Sequence, residues 1–136
     1  MRNVRPAAPV STFSILYHFA AFLAVALGIA HSVLGERYIL IRLFRRPDLP
    51  KLFGGTEFTT RTLRFAWHLT TLAWWGFAAL LWYIAEGSLS ALATSRVLAV
   101  VFLVSAAVTL VASRGRHFAW VVFLVIGVIA LYGSQA

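Results

Sequence analysis

The chain of 136 residues has no cysteine, four acidic residues and a single lysine, Lys51. Without cysteine there is no disulfide framework, thiol redox pair, Cys-ligated zinc or covalently attached c-type haem. Charged residues make up 12% of the chain and apolar residues 61%, against about 25% and about 45–50% in soluble domains. That composition argues for a membrane protein. The apolar stretches hold no Asp, Glu or Lys at mid-depth, only Thr70, Thr71, Ser105 and Thr109, so proton relays and alternating-access transport lack their usual midplane charge. Lys51 lies in a loop, which excludes a retinal Schiff base. No HExxH, GxSxG or Gly-rich phosphate loop is present, which argues against a lone hydrolase.

Four apolar stretches remain, and a spanning helix needs roughly 20 residues. They place spans at about 12–35, 62–85, 90–113 and 117–134, joined by a basic loop at about 36–61. The first is too long for a cleaved signal sequence of about 7–15 apolar residues, and is read as a retained span. Thr59 or Thr60 is the expected N-cap of the second. Arg96 fits in the third by snorkelling outward. Glu86-Gly87-Ser88 and Ser113-Arg114-Gly115-Arg116 are turns. The expected fold is an all-α integral membrane protein, a single domain over 1–136, with four transmembrane helices in an up-and-down antiparallel bundle.

The formal charge of +8 is polarised. Arg37, Arg42, Arg45, Arg46, Lys51, Arg61, Arg64, Arg114 and Arg116 lie on one side, and Arg2, Arg5 and Arg96 on the other. The positive-inside rule puts the basic loops in the cytoplasm and both termini outside, as in a bacterial inner membrane. A basic excess confined to juxtamembrane loops is not a nucleic-acid footprint. The segment from Arg37 to Arg46 mixes arginine with bulky apolar residues and is expected to form a short interfacial amphipathic helix on anionic lipid, or a docking surface for a larger membrane complex or a second copy.

Small residues mark contact faces between helices in lipid. Ala20, Ala24, Gly28 and Gly35 set such a stripe on the first span, with His31 on it and His18 off it, facing lipid, a partner or the membrane edge. Trp67, Trp82 and Tyr83 fit the interfacial belts, whereas Trp74 and Trp75 lie at mid-depth, where they pack the helices or wall a flat ring. His31, His68 and His117 come from three helices at one depth, beside Glu36, Arg37, Arg61, Arg64, Arg114 and Arg116. Histidine within a membrane is a functional candidate, and imidazole is a common metal ligand.

The His31-x-x-x-Gly35 spacing is similar to the H-x-x-x-G of haem-ligating helices in succinate dehydrogenase membrane anchors, over His31 to Ile41. The quinone-site Arg and Asp-Tyr patterns of those anchors are missing, and four spans stand where they have three. The chain is not assigned to that family; from the three-histidine layer the leading expectation is a redox protein with a cytoplasmic-side metal centre, b-type haem first and a non-haem Fe, Cu or Zn ion after it. His31 and His68 are the expected ligand pair, with His117 as the alternate metal ligand and Glu36 as a partner behind the ligands. Arg37, Arg64 and Arg116 are the expected charge-neutralising, cofactor-binding groups. The rivals are an accessory or assembly subunit of a larger complex and an anionic-lipid or small hydrophobic ligand binder.

Overall fold

The computed structural model of the chain describes residues 11–134 and is almost wholly helical, with a lone bridge between Leu52 and Gly55 as its only extended pairing. Arg2 and Arg5 lie outside the described residues. Helix α1 spans Thr12–Leu34, a π-helical stretch covers Gly35–Leu40, and α2 is the single turn Ile41–Leu43. Helices α3, α4 and α5 follow at Glu57–Ala85, Ala91–Ser113 and Ala119–Gly133.

Local chemistry sets most of these ends. The Ser11 hydroxyl accepts the Ser14 amide at 3.1 Å to start α1, and Ser90 does the same for Ala93 at 3.1 Å to start α4, satisfying amides that a helix start leaves orphaned. Arg114 (φ 51°) and Gly115 (φ 75°) are left-handed and turn α4 back into α5.

Two sequence expectations are corrected here. The segment after His31 is not a separate interfacial helix, because α1, the π stretch and α2 form one continuous helix over Thr12–Leu43. Nothing in it breaks a helix before Pro47, the first residue without an amide to donate. The second long helix begins at Glu57, earlier than expected. Thr59 therefore lies inside its first turn and donates its hydroxyl to the Pro50 carbonyl at 2.8 Å, while Thr56 holds the cap position without a side-chain bond.

The helices pack in chain order, α1 on α3, α3 on α4 and α4 on α5, and among the described residues no α1–α5 contact closes the set. Helices α1 and α3 run antiparallel. Along α1 and α3 the contacts pass from His18–Glu86 through Ser32–Thr71 to Glu36–Arg64. Each interface carries at least one glycine. A Cβ on Gly28 would lie 2.6 Å from Trp75 Nε1, one on Gly76 2.6 Å from Val101 Cγ2, and one on Gly127 2.8 Å from Leu103 Cδ2. These glycines allow the close backbone approach on which helix association in lipid depends.

The stretch Thr12–Leu43 and helix α4 are long and apolar enough to cross a membrane. Helix α5 is as apolar but has only 15 residues. Large apolar side chains are exposed along the outer faces, among them Phe13, Phe22, Val111, Ile129 and Tyr132.

Candidate functional site

The densest polar constellation lies between α1 and α3 at the end from which the basic loop leaves. Its backbone origin is the π stretch. There the Ile41 amide bonds back to the Glu36 carbonyl, five residues earlier, and such bulges recur at functional sites. Gly35 opens this stretch, buried flat against Trp67. A Cβ there would overlap the indole ring, so only glycine lets α1 approach at this level. Trp67 Nε1 donates to the His31 carbonyl at 3.1 Å across the same contact.

From this point a line of polar contacts climbs the interface. Glu36 Oε1 lies 3.0 Å from Arg64 Nη2, and Glu36 Oε2 lies 3.5 Å from His68 Nε2. The second distance makes no hydrogen bond, and Glu36 Oε2 is buried without a hydrogen-bond partner. His68 Nδ1 lies 2.9 Å from Ser32 Oγ, which lies 2.8 Å from Thr71 Oγ1. Thr71 in turn donates to the Gly28 carbonyl at 3.2 Å. With that proton spent, Ser32 donates to Thr71 and accepts from His68 Nδ1–H. Higher still, Trp75 Nε1 donates to the Val25 carbonyl at 3.3 Å.

His31 belongs to the other face of the same contact. Its ring stacks on Trp67 with centroids 4.4 Å apart and planes 4° from parallel, and meets the edge of Trp74 at 4.8 Å. Its Nε2 lies 2.9 Å from the Thr70 hydroxyl. His117 stands apart from both, between Phe58 (6.0 Å, 12°) and Phe65 (5.3 Å, 83°), and accepts the Ala119 amide at Nδ1, 3.3 Å away.

This arrangement overturns the metal and haem reading. Among the described residues no group of three or more His, Cys, Asp or Glu is gathered to hold a metal ion. The physical reason is angular. His31 and His68 occupy opposite faces of the α1–α3 contact, and each meets a hydroxyl on the facing helix instead of a common centre. His117 points into an aromatic slot. Glu36 is drawn to Arg64 and His68, and the room expected beside Gly35 for a macrocycle edge is filled by Trp67. Of the three arginines expected to neutralise a cofactor, only Arg64 joins the constellation. Arg37 lies 5.6 Å from the centre of the Tyr38 ring, and Arg116 lies in the α4–α5 turn.

The sequence reading missed a second His–Glu pair at the opposite end. His18 Nε2 lies 2.8 Å from Glu86 Oε1, and its ring sits edge-on to Trp82 at 4.5 Å. The buried line of α1 runs through Ala21, Gly28 and Gly35, not Ala20 and Ala24, and this heptad line brings His18 onto α3. The recoverable signal was spacing: eighteen residues separate His18 from Glu36, and eighteen separate His68 from Glu86.

At the basic end, nine Arg and Lys side chains face three acids, Glu36, Asp48 and Glu57. Glu57 pairs with Arg61 at 2.7 Å and with Arg114 at 3.8 Å. Asp48 takes two bonds from Arg46, at 2.9 and 2.7 Å, and this guanidinium holds its carboxyl below the usual carboxylate range. Arg37, Arg42, Arg45, Lys51 and Arg116 have no carboxylate partner among the described residues. Arg37 and Arg42 both lie over Tyr38, 5.6 and 5.9 Å from its centre.

No protein-family model, characterised protein or solved structure matches this chain.

Proposed function

We propose that the chain is an integral membrane protein whose four antiparallel helices lie in a bacterial inner membrane, with its basic end in the cytoplasmic headgroup layer holding anionic phospholipid. The observation that carries this is the set of five cations without a carboxylate partner, Arg37 and Arg42 on the helical end that carries Tyr38 and Arg45 in the turn just beyond it. Basic side chains at a membrane surface gain about 1 kcal/mol each from anionic lipid, and an amphipathic phenol suits the headgroup layer. The four ion pairs already formed at this end leave the remaining charge for lipid phosphate.

Because the chain has no cysteine, single-cysteine variants test the orientation cleanly. A thiol at Gly55→Cys reacts with an impermeant maleimide only after the cells are opened, and one at Ser88→Cys reacts in intact cells. The reverse pattern overturns the orientation. Replacing Arg37, Arg42 and Arg45 together by Gln lowers retention of phosphatidylglycerol over phosphatidylcholine by the purified protein. Unchanged retention overturns the lipid reading.

A second reading, a subunit of a larger membrane assembly or a homo-oligomer, is favoured by the serial packing, which leaves α1 and α5 as open edges. Gentle extraction followed by native electrophoresis tests it: migration as a single 15.0 kDa chain argues against an assembly, and a larger species retained after dilution supports one.

A further inference from the structure

At the end opposite the basic loop, α3 and α4 enclose a groove of about 400 Å³ walled by Trp75, Gly76, Ala79, Val97 and Val101, with Tyr83 and Arg96 lining it too. The groove follows from small residues. Gly76 draws α4 in until Val101 fills the missing side chain's place, and Ala79, a turn further along, leaves a trough beside Trp75. From Leu72 to Tyr83 it runs eleven residues along α3, about 16 Å at 1.5 Å per residue.

Arg96 is the feature that calls for a ligand. It lies five residues inside α4 with its side chain exposed, so its guanidinium can snorkel to the headgroup layer, and it has no carboxylate partner among the described residues. The acid at this end, Glu86, is engaged by His18 at 2.8 Å. The walls are otherwise almost wholly apolar, so the groove combines a long greasy trough with a guanidinium and a phenol hydroxyl as its polar groups. That is the complement of an anionic amphiphile. A guanidinium takes a phosphate through two parallel N–H bonds, which an ammonium cannot do.

We propose that the α3–α4 groove binds one anionic phospholipid of the outer leaflet, its phosphate on Arg96 and Tyr83 and one acyl chain along Trp75, Gly76 and Ala79. The site rests on the membrane reading but not on the basic end, which lies at the other end of the helices.

The test uses the full chain, purified and delipidated in detergent, then titrated with phosphatidylglycerol or phosphatidylcholine of the same acyl chains and followed by native mass spectrometry. The wild type retains one phosphatidylglycerol with roughly tenfold preference over phosphatidylcholine, in addition to any held at the basic end. Arg96→Gln loses that one lipid's headgroup preference. Val100→Trp fills the groove from an exposed position of α4 and removes the lipid itself, and Ala79→Leu does the same from α3. Gln in place of Arg37, Arg42 and Arg45 leaves this lipid bound, so failure of the basic-end reading and failure of this one are distinguishable. Inorganic phosphate does not compete, because the chain supplies much of the affinity. Arg96→Gln with undiminished preference, Val100→Trp with undiminished binding, or displacement by inorganic phosphate overturns the proposal.

Discussion

His18 on α1 and Glu86 just beyond α3 meet at 2.8 Å, sixty-eight residues apart in the chain, in the same antiparallel register that brings Glu36 to Arg64 and His68. The two ends of one helix pair are thus locked by the same two residue types in opposite order. A one-residue slip in either helix rotates its polar set by about 100° and breaks both locks together. His18→Cys with Glu86→Cys is therefore joined by a short bifunctional thiol reagent that spans the length of the lost side chains, and His18→Cys with Phe77→Cys is not. Because Glu86 is half exposed, the pair itself contributes under about 1 kcal/mol. A double-mutant cycle on unfolding in denaturing detergent measures that coupling, and a value well above it contradicts the exposure argument.

Gly35 is already in right-handed helical geometry, with φ −61° and ψ −48°. Alanine there gains about 0.5–1 kcal/mol of backbone propensity but collides with Trp67. Overpacking of this kind costs about 1–3 kcal/mol, so Gly35→Ala is net destabilising, by up to about 2 kcal/mol. Gly55→Ala, with nothing within 4 Å, is the neutral comparison in the same unfolding assay.

Ser32 links His68 to Thr71, and Ser32→Ala leaves the His68 Nδ1–H facing a methyl group. Hydrogen bonds between helices in membranes contribute about 0.6 kcal/mol on average and about 1.7 at most. The loss should fall in the upper half of that range, because one hydroxyl serves two partners. Ser88→Ala, in an exposed turn with one long bond of 3.4 Å, changes stability by no more than a few tenths of that.

Thr109 is fully buried in α4, yet its hydroxyl has no partner, whereas Ser105 one turn earlier bonds the Val101 carbonyl at 2.7 Å. Unmade buried hydrogen bonds cost about 1–3 kcal/mol. Thr109→Val is therefore neutral or stabilising, and Ser105→Val destabilising. The reverse order of unfolding midpoints refutes the assignment of the orphan.

Asp48 titrates lower than a free aspartate because Arg46 hydrogen-bonds its carboxylate. The sign follows from the depressed value: this contact stabilises the loop above the unfolded-state value and is lost as pH falls through the folded one. Arg46→Gln moves the Asp48 carboxyl titration, followed by carbon-13 NMR, back toward the ordinary range. Both groups are fully solvated, so the global unfolding midpoint should not follow it.

That the chain is helical, where the two tight turns fall and that basic residues cluster in the loops were legible in the sequence because each rests on local rules: apolar length, Gly in a turn, Arg gathered between spans. Angular position within the interface was not. The spacing placed His31, His68 and His117 at one depth, and depth along a helix follows from counting residues. Whether three rings converge depends on the rotation of each helix about its own axis. That rotation is set by where Trp67, Trp75 and the interface glycines allow backbones to approach, which no single segment encodes.

The π stretch shows the same division. Gly35-Glu36-Arg37 reads locally as the end of a span, but packing of Gly35 against Trp67 carries α1 onward with one wider turn and swings Glu36 toward Arg64 and His68. The sequence by itself determined that this chain is helical, thiol-free and basic at one end. Only the tertiary structure decided that its histidines are interface residues held by Ser32, Thr70, Glu86 and two phenylalanines, because side-chain partners are chosen by the helix register and rotation that close packing imposes.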